Sequence, residues 1–125
     1  MQIELCTKQI YEKHNEKQKQ TYQGHLKNAP KGSILEFGNE KENYQMTILE
    51  NKIILKKPNQ TIIFEKEKTT NSTLQTPYGS INMKITTNLM EIEKCDHQVK
   101  RILLDYQIEL ENQKPYQNQI EINIR

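Results

Sequence analysis

The sequence has no tryptophan, only two cysteines, and only four glycines and four prolines among its 125 residues. Cys6 and Cys95 lie in separate regions and form no pattern with histidines that is typical of a metal site. In a reducing compartment, two isolated cysteines are usually free thiols. We therefore expect no structural disulfide, no metal and no cofactor.

The sequence also has no large excess of positive or negative charge and no long apolar run. The chain carries 18 Lys plus Arg and 16 Asp plus Glu, and the charges are interspersed along it. No apolar run approaches the roughly 20 residues of a membrane span, and Met1-Gln2-Ile3-Glu4-Leu5 does not resemble a secretory signal. We expect a cytoplasmic protein with no membrane span, for which nucleic acid is not the default partner.

Hydrophobic residues make up 34% of the chain, which is enough for one core. A chain of this size hides roughly two thirds of its unfolded surface in that core, so two independent domains are not expected. Residues 1–125 are therefore predicted to form a single domain.

Alternation of apolar and polar residues is the strongest pattern. It covers residues 102–110 and 120–124, where every second residue is apolar. Ile81, Met83, Ile85 and Leu89 share one parity in the same way. A period of two predicts β-strands with one buried face.

Apolar residues of the first half also favour strands, although residues 11–22 could alternatively form a short helix. Turn residues separate the strands at Asn51-Lys52, Pro58-Asn59, Thr76-Pro77-Tyr78-Gly79, Lys94-Cys95-Asp96-His97 and Asn112-Gln113-Lys114-Pro115. The short links predict an all-β antiparallel meander. We expect an up-and-down β-barrel of about eight to ten strands, because closure removes exposed edges.

The second half of the chain resembles the YwiB-like, calycin-type β-barrel proteins of bacteria, which are largely uncharacterised. The resemblance rests on Thr76-Pro77-Tyr78-Gly79, on the alternating strands of residues 81–89 and 102–110, and on Ile120-Glu121-Ile122. It implies a calycin-like, lipocalin-like barrel. It implies no activity, ligand or catalytic residue.

No group of residues predicts an enzyme. His14, His25 and His97 have no companion nucleophile in the sequence. Carboxylates such as Glu109 and Glu111 fall on the polar face of a strand, whereas glycoside hydrolysis needs two carboxyl groups in a cleft. Catalytic residues are therefore not assigned.

The interior of the barrel is the remaining candidate site. We expect it to be lined by two phenols, two threonines and two aliphatic residues, namely Tyr78, Tyr106, Thr76, Thr87, Leu104 and Ile85. Such a lining suits a small apolar or amphipathic ligand. Two alternatives remain open: a filled barrel that acts as a structural or interaction module, with possible self-association, and a weak single-stranded nucleic-acid binder that uses Lys8, Tyr11 and Lys13.

Overall fold

The computed structural model describes residues 1–111 and 113–125 and contains ten β-strands. The strands are β1 (Gln2–Ile10), β2 (Asn15–Ala29), β3 (Gly32–Gly38), β4 (Asn43–Ile48), β5 (Lys52–Lys57), β6 (Gln60–Glu65), β7 (Thr69–Thr76), β8 (Gly79–Cys95), β9 (Gln98–Leu110) and β10 (Tyr116–Ile124). The described residues contain no helix, and the alternative helix at residues 11–22 is replaced by a turn and the start of β2.

All ten strands form one antiparallel sheet in the order β6-β5-β4-β3-β2-β1-β10-β9-β8-β7. Strands that follow one another in the chain are neighbours in the sheet, except β6 and β7, which are its two edges. β1 pairs with β10 and brings the two ends of the chain together. The sheet curls into a nearly closed barrel, which confirms the predicted all-β, up-and-down architecture.

The predicted turns join the strands as expected. Asn51, Pro58-Asn59 and Pro77-Tyr78 lie in hairpin connections, and Gly79 adopts a φ of 122°. Asp96 and His97 link β8 to β9 with φ angles of 53° and 67°, the pair of positive values that a tight hairpin turn requires. In the last predicted turn, Asn112 lies outside the described residues.

The barrel closes where β6 and β7, the two edge strands of the sheet, meet. No backbone ladder between them is recorded in the described residues, and side chains supply most of the bonds instead. The Ser72 hydroxyl donates to the Thr61 carbonyl at 2.7 Å, and the Thr70 hydroxyl donates to the Ile63 carbonyl. Gln75 N–H donates to the Asn59 carbonyl at 3.1 Å. We call this contact the seam.

Apolar side chains of alternate positions fill much of the interior. Ile3, Ile53, Phe64, Ile102 and Ile122 have no exposed surface. They come from five strands, so each packs against residues that are distant in the sequence. Burying such a side chain contributes about 1.5–3 kcal/mol, and the shared core is therefore the main source of stability.

The alternation of buried and exposed side chains is interrupted within β8, where the pairing register with β9 shifts between Thr87 and Leu89. A β-bulge of this kind adds one residue to one strand and turns the following side chains to the other face. Met90 consequently takes the buried position, whereas Leu89 is 37% exposed. The prediction that Leu89 faces inward is wrong for this reason.

Gly24 lies in β2, where this strand is packed tightly between its two neighbours in the sheet, β1 and β3. A Cβ atom at this position would lie 2.5 Å from the Glu36 carbonyl oxygen and 2.9 Å from Ile3 Cγ1. Real Cβ atoms do not approach backbone oxygen so closely. Gly24 is therefore required by packing, which is a common reason for glycine inside a strand.

We expect Ser72→Ala to loosen the seam. The variant loses the donor to the Thr61 carbonyl, so the free energy of unfolding should fall by about 1 kcal/mol. Hydrogen exchange should quicken in β6 and β7 more than in β9. Thr73→Val, on the exposed face of β7, is the control. Equal protection of β6 in both variants would contradict a seam held by side chains.

We expect Thr87→Val to stabilise the protein. Thr87 is 1% exposed, and its hydroxyl has no hydrogen-bond partner among the described residues. Valine has nearly the same shape without the buried polar group, so the free energy of unfolding should rise by about 1 kcal/mol. Urea unfolding measures the change, and a loss of stability would show that the hydroxyl is satisfied.

We expect alkaline unfolding to depend on Tyr106. Burial raises the pKa of its phenol from 10.0 to about 12, and the nearby Tyr116 adds to the rise, while the hydrogen bond from Asn118 opposes it. The folded state thus favours the neutral phenol, and this stabilisation is complete below pH 10 and lost as the pH rises toward about 12. Tyr106→Phe should flatten the fall of unfolding free energy above pH 10. An unchanged slope in urea titrations would argue against a buried phenol.

Candidate functional site

The two ends of the barrel differ in chemistry. At one end lie the turns at residues 11–14, 39–42, 58–59 and 77–78, and we call this the polar end. At the other end lie the turns at residues 30–31, 49–51, 66–68 and 96–97, together with Gln2 and Arg125, and we call this the filled end.

A cavity of about 260 Å³ enters the barrel from the polar end. Its floor consists of apolar side chains from five strands: Leu5, Phe37, Met46, Leu55, Ile120 and Ile122. This floor is the surface that the core of the filled end presents toward the polar end. The barrel is therefore filled in one half and hollow in the other.

The walls of the cavity are polar but carry few charges. They include one hydroxyl and four carboxamides, from Thr7, Gln9, Gln18, Gln20 and Asn118. Thr7 and Gln9 alternate with Cys6 and Lys8, which line a groove outside the barrel. The alternation that builds the core thus continues toward the polar end, where the inward positions present amides to the cavity.

The cavity opens to solvent along β2. Residues 23–29 of β2 pair with β3, but residues 15–22 pair with β1 alone among the described residues. Gln18 and Gln20 lie on this free stretch and remain exposed. A small molecule can therefore reach the floor without separation of any strand pair.

Lys57 is the one cationic side chain among the described residues that line the cavity, and none of them is Asp or Glu. It ends the inward series Ile53, Leu55 and Lys57 of β5. Its side chain is exposed to solvent, yet the surrounding protein lowers the pKa of its ammonium because desolvation disfavours the charged form. Attraction from Glu42 partly offsets this effect.

Aromatic side chains fix the positions of the two phenols at the cavity. The Tyr44 ring stacks on Phe37 with ring centroids 5.2 Å apart, and its hydroxyl donates to Glu42. Burial is the main reason that the pKa of Tyr44 is raised. Tyr106 packs its ring edge against Phe64 at 4.8 Å. Both phenols are therefore neutral at physiological pH and lie in fixed positions.

The Asn118 carboxamide leaves hydrogen-bonding capacity unused at the cavity wall. Its Nδ2 donates to the Tyr106 hydroxyl at 3.5 Å. Its Oδ1 is shielded from solvent and has no partner among the residues that the structure describes. If Tyr106 donates instead, a half-turn of the carboxamide exchanges the two atoms. Because Oδ1 is shielded, a bound molecule can reach this polar group only after the carboxamide turns about its Cβ–Cγ bond.

The structure brings only some of the six predicted lining residues into the interior. Tyr106 lines the cavity, whereas Ile85, Thr87 and Leu104 are buried in the packed core. Thr76 is half-buried at the end of β7, where its hydroxyl donates to the Gly79 carbonyl at 2.7 Å.

The placement of Tyr78 inside the barrel is wrong. Its side chain is 100% exposed, because Pro77 and Tyr78 form the tip of the β7–β8 hairpin beyond the last paired residues, Thr76 and Gly79. Side chains at the tip of a two-residue turn have no neighbouring strand to cover them. Tyr78 therefore cannot contact a molecule in the cavity.

Sequence reasoning missed the amides, Tyr44 and Lys57. A signal for them exists, because they extend apolar series of the same parity. Lys57 follows Ile53 and Leu55, and Asn118 precedes Ile120 and Ile122. A polar residue that ends an inward apolar series marks the rim of a barrel.

Other kinds of site are not indicated. Within residues 1–111 and 113–125, no cluster of three or more His, Cys, Asp or Glu side chains could hold a metal ion. The described part of the chain also has no helix of the length and apolarity that crossing a membrane requires. Tyr11, considered above for nucleic acid, stacks on His14 and Tyr116 at centroid distances of 4.7 and 6.3 Å.

Comparisons with known proteins identify the fold and the family. The crystal structure of the ywiB protein from Bacillus subtilis is similar to this chain, with a TM-score of 0.75 and 8% sequence identity, over 98% of this chain and 89% of that one. At this identity the likeness concerns the fold. No match to the chain was found among curated proteins.

A family model described as "Domain of unknown function (DUF1934)" matches residues 3–122. The match extends from β1 to β10 and includes every strand that contributes to the cavity. The sequence-based expectation of a YwiB-like barrel is confirmed, and the chain belongs to the DUF1934 family.

Proposed function

We propose that the protein binds a small amphipathic molecule in the cavity at the polar end, without catalysing a reaction on it. The observation that carries the proposal is the combination of an apolar floor with a wall of amides around one hollow. Binding sites for small molecules usually have this composition, with a few polar groups that orient the ligand. In this respect the barrel is used in a lipocalin-like way.

The size of the cavity limits the ligand. About 260 Å³ lies just below the range of roughly 300–1,000 Å³ that is common for ligand sites. The occupant is therefore a small molecule with one short chain or one ring. The apolar part lies on Leu55, Met46 and Ile120, and the polar part faces the amides and the solvent opening.

The unused hydrogen-bonding capacity of Asn118 also supports binding. A buried polar atom without a partner costs about 1–3 kcal/mol, and a ligand recovers part of this cost when the carboxamide turns and meets its polar group. Tyr106 lies beside it and fixes its position. A polar group of the ligand at this point would gain both affinity and orientation.

Free cysteines support a cytoplasmic location for this binding. Cys6 is half-buried, Cys95 is exposed, and neither forms a disulfide. Free thiols persist in reducing compartments. We propose a cytoplasmic protein that binds a metabolite.

The proposal is tested with Thr7→Trp and with hexanamide, an uncharged amphipathic probe. We expect wild-type protein to bind hexanamide at one site per chain with a Kd of about 1 mM or below, measured by titration calorimetry. The indole in Thr7→Trp should occupy the cavity and weaken binding more than about tenfold, a loss of roughly 1.4 kcal/mol.

The control is Thr21→Trp, which places the same ring on the exposed outer face of β2. It should bind hexanamide as the wild type does. Binding that both variants lose equally, or that neither loses, would exclude the cavity as the site.

A further inference from the structure

We propose that the ligand is a small monocarboxylate and that Lys57 is the residue that selects it. This inference rests on the proposed function and adds the charge of the ligand. It follows from the distribution of charged side chains between the two faces of the sheet.

Acidic side chains are kept off the inner face around the cavity. The described residues that line it comprise apolar, amide, hydroxyl and phenol groups and one lysine. Glu4, Glu121 and Asp105 alternate with the inward-facing residues of β1, β10 and β9, so they belong to the outer face of the sheet. Asp105 is held outside by Gln117 and Gln119, whose amides donate to it at 2.8 and 3.0 Å. The described residues that line the cavity therefore carry one positive charge and no carboxylate.

Lys57 is not used by the fold. Other basic residues pair with carboxylates on the outer surface, for example Arg101 with Glu93 at 3.0 Å and Lys27 with Glu36 at 3.1 Å. Lys57 takes part in none of the ion pairs recorded within residues 1–111 and 113–125. Because no carboxylate of the described residues is paired with it, the Lys57 ammonium is free to form a charge-assisted hydrogen bond with an anion brought by a ligand.

Lys57 also has the right position to act on the charged end of a molecule. It borders the cavity and two grooves outside the barrel, so it lies where the cavity meets solvent. Leu55, two residues earlier on the same face, belongs to the floor. A molecule whose apolar chain contacts Leu55 therefore directs its other end toward Lys57.

Neighbouring groups favour one negative charge over two. Glu42 accepts the hydrogen bond from Tyr44 and lies close enough to attract Lys57. Its carboxylate therefore repels a second negative charge on a ligand where the cavity meets solvent. Gln20 accepts from the Tyr22 hydroxyl through Oε1, which leaves its Nε2 group available as a donor. One ammonium and amide donors match a carboxylate, whereas a phosphate dianion would meet a single cation beside a glutamate.

The test compares hexanoate with hexanamide, which has the same number of non-hydrogen atoms and no charge. We expect wild-type protein to bind hexanoate at least about tenfold more tightly by titration calorimetry. Lys57→Met should abolish this preference while its affinity for hexanamide changes by less than about twofold. Lys57→Arg should keep the preference, because it keeps the positive charge.

The matched control is Lys56→Met, which removes the same charge from the neighbouring outward position of β5. It should retain the preference for hexanoate, and thermal unfolding of each variant shows that the barrel is intact. Equal affinity of wild type for the two probes, or an equal loss in the two lysine variants, would overturn the role of Lys57 but leave ligand binding in place. If the wild type binds neither probe, the proposed function fails as well.

Discussion

Closure of the sheet is the constraint on which the rest of the structure depends. A curled antiparallel sheet gives each side chain one of two environments, the interior or the outer surface, and the alternation along each strand decides which. The contact between β6 and β7 completes the curl, and it relies on hydroxyl groups of β7 that reach carbonyls of β6. Without this seam, Phe64 and the neighbouring core would face solvent along one side.

Closure also explains why the barrel is filled at one end and hollow at the other. Toward the filled end, inward positions carry large aliphatic and aromatic side chains, such as Ile53 and Phe64. Toward the polar end the same positions carry amides and Lys57, which hydrate readily and do not pack against one another. Because β2 continues past β3, this polar half also stays open on one side. The hollow is thus a consequence of where the apolar series end.

The same arrangement separates the residues that stabilise the fold from those of the proposed binding site. Residues with no exposed surface hold the strands together, and few of the polar cavity residues take part in that packing. Lys57 and the glutamines can therefore be suited to a ligand at small cost to the fold. Lys17 and Lys19 on the free stretch of β2 place charges along an unpaired edge, a common protection against pairing with another chain.

The sequence by itself determined the strands, most of their turns and the antiparallel, barrel-like architecture, because alternation and turn chemistry are local properties of the chain. Alternation also assigns Ile85, Thr87, Leu104 and Tyr106 to the inner face, and all four are buried. The tertiary structure alone decided the position of Leu89, which depends on a bulge opposite β9, and the exposure of Tyr78 beyond the paired residues. It alone placed Lys57 and Asn118 on one cavity, since they belong to strands that are separated in the sheet order and border a common space only when the sheet has curled.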